Sequence, residues 1–86
     1  MEYTQAVKNR LKRIEGQVRG VLKMMEEGKE CKEVVSQLSA SRTALDRAIA
    51  QIVAQNLQKC VKEQQDMGED SSNAVDEAIQ LLVKSR

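Results

Sequence analysis

The sequence predicts an all-α fold, a three-helix protomer with a long central helix. Three observations predict it. Apolar residues recur at helical spacings of three and four. The chain has no proline, and its core-forming residues are aliphatic, with Tyr3 the single aromatic. The stretch from Glu30 to Gln64 contains no glycine and reads as one uninterrupted helix.

The first helix is expected from about Tyr3 to Glu27, carried by Val7, Leu11, Ile14, Val18, Val21 and Met25, with Tyr3 extending the stripe upstream. Gly28 stands where the helix should end. Gly16 and Gly20 lie roughly opposite the stripe, each lowering helix propensity by ~1 kcal/mol relative to alanine. Glycines four apart share a face, and close approach of another backbone would explain them; tolerated surface glycines are the alternative.

The second helix, Glu30 to Gln64, has apolar positions Val34, Val35, Leu38, Leu45, Ala48, Ile49, Ile52, Val53, Leu57 and Val61. That stripe is wide enough to meet both the first helix and a second copy of itself. Such a helix spans about 50 Å, too long for a small globule to cover alone. A polar break from Gln65 to Asp70 contains Gly68, and Asp70, Ser71, Ser72 and Asn73 offer N-caps for a short third helix. Its apolar residues are Val75, Ala78, Ile79, Leu81 and Leu82; Asp76 and Glu77 are expected in its first turn, Lys84 and Arg86 in its last.

Eighty-six residues form a single domain, 1–86, with a modest core, so oligomerisation is the expected source of extra buried surface. No run approaches the ~18 apolar residues of a membrane span, and the N-terminus is no signal peptide. A cytoplasmic location is expected, with no membrane partner. Two cysteines in a reducing compartment are reactive or metal-binding rather than a permanent disulfide.

The net charge of +1 conceals a basic helix. Lys8, Arg10, Lys12, Arg13, Arg19 and Lys23 face only Glu15, a local +5 that leaves −4 for the rest. An anionic partner on this helix is one reading, a solvated face the other. The absence of aromatic residues beyond Tyr3 argues against single-strand binding. Histidine is also absent, removing the commonest general base and metal ligand. No cofactor motif and no catalytic machinery is present, so neither a cofactor nor an enzyme is expected.

Cys31 and Cys60 are twenty-nine residues apart on the second helix. That is about 44 Å and about eight turns, which places the thiols within about 20° of one direction. If two copies lie antiparallel with the dyad between Leu45 and Asp46, position i faces 91 − i, and Cys31 of one copy faces Cys60 of the other. Cys31 sits in the first turn beside Lys29 and Lys32, tempered by Glu30 and Glu33; Cys60 lies between Lys59 and Lys62. Inert packing is the alternative for both. Two thiols without histidine fall short of tetrahedral zinc, leaving Cu(I) or a nucleophilic and a resolving thiol. They form no C-x-x-C motif.

The run RLKRIEGQVRG from Arg10 to Gly20, MMEEG from Met24 to Gly28, Cys31, QLSAS from Gln37 to Ser41, and Cys60 together resemble the CsoR/RcnR/FrmR family of bacterial repressors. The resemblance spans almost the whole chain. It implies an antiparallel helical dimer, usually a dimer-of-dimers homotetramer, that binds operator double-stranded DNA without a helix-turn-helix. Arg10 and Arg47 match the positions the family uses for operator contact, with Arg13, Lys8, Lys12, Arg19 and Arg42 as auxiliary phosphate contacts. Arg47 has a plainer role available, pairing with an acid on its own helix.

The family's copper sensors carry Cys-His-Cys. Here Cys31 and Cys60 match the thiols and Asn56 takes the histidine position, with Glu30 and Lys59 as neighbours. Nickel/cobalt sensors need several histidines, and formaldehyde sensors pair the first cysteine with an N-terminal proline; both requirements fail. The Cys-Asn-Cys set resembles the CstR branch, the CsoR-like sulfurtransferase repressors. That implies low-molecular-weight persulfides or polysulfides as inducer and de-repression of sulfide-detoxification genes. A Cu(I) sensor on the same two thiolates and a helical module without DNA binding are the competing readings.

Overall fold

The structure is a computed structural model that describes residues 1–85. The all-α expectation holds: three helices, α1 Gln5–Glu26, α2 Cys31–Asp66 and α3 Ser72–Lys84, follow in order. They fall into two compact units, one spanning Glu2–Ala48 and the other running from Ile49 onward.

α1 starts later than the apolar stripe implies. Thr4 is its N-cap, with Oγ1 accepting from the Val7 amide at 3.3 Å, a contact worth ~1 kcal/mol. Tyr3 therefore lies outside the helix and is 50% exposed. At the other end the Lys29 amide donates to the Met24 carbonyl and Gly28 to Met25, with Gly28 at φ 71. This paired closure takes a left-handed residue, which glycine adopts without strain. The end of α2 repeats the device: Glu69 donates to Gln64 and Gly68 to Gln65, with Gly68 at φ 73. α2 thus runs through Asp66, two residues into the expected break.

In the first unit, α1 and the start of α2 form a hairpin. Val7, Ile14 and Val21 are buried on α1; on α2, Val34 is half-buried and Ser41 and Ala48 are buried. Both sets repeat every seven residues, the seam of two pairing helices. Burying each such valine or isoleucine contributes about 1.5–3 kcal/mol. Among the described residues Ser41 is the one buried polar residue; its Oγ lies 3.5 Å from Gln17 Oε1 and 3.2 Å from the Gln37 carbonyl.

A step of four residues turns about 40° around a helix, and antiparallel helices mirror that rotation. The residues four after the seam positions, Leu11, Val18 and Met25 on α1 with Leu38 and Leu45 on α2, therefore share one side of the hairpin. All are 40–52% exposed, so only half of the expected α1 stripe is covered by this chain. The residues just before the seam positions fall on the opposite side, Arg13 and Gly20 from α1 and Ala40 and Arg47 from α2. Among the described residues a Cβ at Gly16 or Gly20 meets nothing within 4 Å beyond its own helix, so no other described backbone segment packs against them.

In the second unit, Val53 is buried on α2, and Ala74 and Ala78 on α3. Val75, Ile79, Leu81 and Leu82, expected as the core of α3, are 39–54% exposed. Small residues, not large ones, make the close contact. Ser71 is the N-cap without a side-chain hydrogen bond, and Asp70 accepts from the Ser72 amide and hydroxyl instead. The first turn of α3 holds no acid, because α3 begins at Ser72 and leaves Asp76 and Glu77 in the next turn. Lys84 occupies the last turn; Arg86 lies outside the described residues.

Candidate sensing and nucleic-acid interface

Cys31 is the first residue of α2 and is exposed. Glu30 precedes it, exposed, its carbonyl accepting from the Val34 amide at 3.1 Å to close the first turn. Cys60 lies near the other end of α2 and is half-buried. One turn earlier is Asn56, also half-buried, whose Oδ1 accepts from Cys60 Sγ at 3.9 Å. The i, i+4 spacing brings these two side chains together on one helix face. Lys59 is exposed beside them in sequence. Both thiols are free.

The basic residues divide between the two sides of the hairpin. Arg10, three residues after Val7, falls about 60° from the seam on the side that carries Arg13 and Arg47. In the register that pairs Gln17 with Ser41, Arg10 is level with Ala48 and hence adjacent in height to Arg47. Arg10 is half-buried, while Arg13 and Arg47 are exposed. Small residues, Gly16, Gly20 and Ala40, flatten this face. Lys8, Lys12, Arg19 and Arg42 are exposed on the other flank, beside the uncovered apolar side. Arg19 is held by Glu15 across one turn at 3.6 Å.

The chain matches the family model described as metal-sensitive transcriptional repressor over residues 3–84, through all three helices. It belongs to that family. Members of the metal-sensitive transcriptional repressor family are regulators of transcription rather than enzymes, and repression implies DNA binding. Among its relatives, the chain is 60% identical to the protein YrkD of Bacillus subtilis (strain 168) over 63 residues, 73% of this chain and 100% of YrkD. It is 44% identical over 62 residues to the copper-sensing transcriptional repressor RicR of Mycobacterium tuberculosis (strain ATCC 25618 / H37Rv), covering 69% of this chain and 65% of RicR. It is 33% identical over 78 residues to the copper-sensing transcriptional repressor CsoR of Bacillus subtilis (strain 168), covering 91% and 76%. The solved structure of the nickel-responsive transcriptional regulator InrS superposes with a TM-score of 0.79 at 35% identity, over 96% of this chain and 92% of that one.

The donors for a metal are sparse in a family so described. Among the described residues no three His, Cys, Asp or Glu side chains gather to hold an ion, and the chain has no histidine. A closed tetrahedral zinc site does not fit these residues. The two thiols are soft donors of the kind monovalent copper takes. Among the described residues no helix is long and apolar enough to cross a membrane.

Sequence reasoning passed over Gln17 and Ser41 as an interacting pair. The one sequence signal is a serine on the heptad of Val34 and Ala48; its partner on α1 follows only from the register of the two helices.

Proposed function

We propose that this repressor senses sulfane sulfur, as low-molecular-weight persulfide or polysulfide, through Cys31 of one copy and Cys60 of a second. The observation that carries the reading is the donor set itself. Two free thiols and an amide stand where the copper-sensing resemblance has an imidazole, and Asn56 contacts Cys60 directly. The uncovered side of the hairpin, with Leu11, Val18, Leu38 and Leu45, supports a second copy lying antiparallel across the dyad between Leu45 and Asp46.

The Cys31 thiolate attacks the sulfane sulfur of R–S–SH, forming Cys31–S–SH and releasing the thiol R–SH. The Cys60 thiolate then attacks the Cys31 sulfur and expels HS⁻, leaving a disulfide. Where both cysteines carry an added sulfur, their condensation also expels HS⁻ and leaves a three-sulfur bridge. A longer bridge suits thiols that are near but beyond direct disulfide distance. Crosslinking shifts the hairpins and weakens operator binding by the face that carries Arg10 and Arg47.

Cu(I) sensing on the same two thiols is the second reading, favoured by the copper-sensing relatives RicR and CsoR. Nickel, the effector of the structural neighbour InrS, finds no imidazole here.

Intact mass after polysulfide treatment, with and without reductant, tests the first reading. A reductant-sensitive species at twice the protomer mass is expected, without added sulfur for the disulfide and with whole sulfur increments for the longer bridge. Unmodified monomer, together with release of DNA by Cu(I) alone, transfers the function to copper.

A further inference from the structure

The α1–α2 seam contains one polar position among aliphatic ones. Val7, Ile14 and Val21 line it from α1, Val34 and Ala48 from α2, and between these last two sits Ser41, only 4% exposed. Apolar contact is non-directional, so a heptad seam of valine and isoleucine tolerates sliding by a turn. A buried hydroxyl does not. Its Oγ is 3.5 Å from Gln17 Oε1 and 3.2 Å from the Gln37 carbonyl, and only the second partner belongs to its own helix. Turning the Gln17 amide over lets its nitrogen donate to Oγ while Oγ–H donates to Gln37, so all three groups are satisfied at once. Gln17 is itself exposed and Ser41 keeps its Gln37 bond at any register, so the cross-helix contact is the one directional link between the two helices at this height. Polar groups on a seam are a known means of choosing one register among several.

That register has a consequence at the hairpin's far face. It sets Arg10 level with Ala48 and beside Arg47, on the side opposite the uncovered apolar one. Sliding α1 by one turn would displace the two guanidinium groups from each other by about 5.4 Å, enough to break up a pair that grips one stretch of phosphate backbone. We propose that Ser41 and Gln17 are a register lock that positions Arg10 and Arg47 as one phosphate-gripping pair. The inference rests on the reading of Arg10 and Arg47 as operator contacts, and Ser41, being buried, acts only through position.

The test is a double-mutant cycle on the full chain. Its probe is a duplex selected from a random-sequence pool by the wild-type protein. Ser41→Ala should weaken binding about tenfold with a near-normal helical melting curve. The loss in Ser41→Ala/Arg47→Ala should be smaller than the product of the two single losses. Residues a turn and a half apart without contact otherwise behave additively. Ser41→Thr, which keeps the hydroxyl, should recover most of the affinity. Wild-type binding by Ser41→Ala, or independent losses with no recovery by Ser41→Thr, overturns the lock. Normal binding by Arg10→Ala and Arg47→Ala overturns instead the reading of the arginines, and failure to select any duplex overturns both.

Discussion

Asn56 stands one helical turn before Cys60 and accepts from its sulfur at 3.9 Å. An amide there can hold the thiol in place but offers a soft cation no nitrogen lone pair. If this position separates sulfur sensing from copper sensing, changing it should move the protein toward copper.

Asn56→His is therefore expected to raise Cu(I) affinity at least about tenfold over wild type, through an imidazole one turn from a thiolate. Competition against a chromophoric Cu(I) chelator measures it. Equal affinities for the two proteins would remove residue 56 from the copper-relevant site.

The arginines should separate by their surroundings. Arg10 and Arg47 share one flattened face, so replacing either by alanine should weaken duplex binding at all sequences and lower the salt slope by about one. Arg19 is on the other flank, 72% exposed and engaged with Glu15. An i, i+4 pair of that kind contributes roughly 0.3–0.5 kcal/mol, and Arg19→Ala should change the salt slope least. Fluorescence anisotropy across a salt series gives the ranking; a larger effect at Arg19 would put the DNA on the opposite side.

The helices and their stops were legible in the sequence because they depend on local chemistry. Gly28 and Gly68 end helices by taking positive φ, and the unbroken run between them has nothing to interrupt it. What escaped was what depends on neighbours. The α1 stripe reads as one continuous apolar face, yet the chain covers Val7, Ile14 and Val21 and leaves Leu11, Val18 and Met25 half in solvent. One partner helix shields one seam, and periodicity does not reveal how many partners a face has. The α3 core was read in part: Ala78 is buried as expected, but close packing selects Ala74 beside it and leaves the larger Val75, Ile79, Leu81 and Leu82 exposed. At the candidate site, Cys31 and Cys60 were legible as sharing a helix direction and Asn56 entered through the family resemblance; the Asn56–Cys60 contact is what the structure adds. The Gln17–Ser41 contact was not legible, since it requires the register of two helices.

The glycines make a prediction of opposite signs. Among the described residues a Cβ at Gly16 or Gly20 meets no atom within 4 Å beyond its own helix, so alanine at either should stabilise the fold by ~1 kcal/mol. Gly28 also faces open space, but its φ of 71 strains any residue with a Cβ, and Gly28→Ala should destabilise by about 1 kcal/mol. Urea titrations of the three variants decide this. If Gly20→Ala stabilises yet loses DNA affinity, the flat face beside Arg13 meets the duplex closely. Destabilisation by Gly20→Ala would mean that a second copy fills that space.

The dimer geometry has its own test in Leu45, which is 41% exposed and adjacent to the proposed dyad. Leu45→Glu places a carboxylate opposite Asp46 of the second copy and removes apolar area from the uncovered side. Because Leu45 lies off the α1–α2 seam, the hairpin should keep its helicity while self-association weakens by an order of magnitude or more, about 1.4 kcal/mol per tenfold. Cys31 remains exposed on each chain and should still take up sulfur, so polysulfide would leave persulfidated monomer in place of the crosslinked pair. Sedimentation and non-reducing intact mass on the same sample report both effects. A crosslinked species undiminished in this variant would place the two cysteines in contact by some arrangement other than an antiparallel pair of α2 helices.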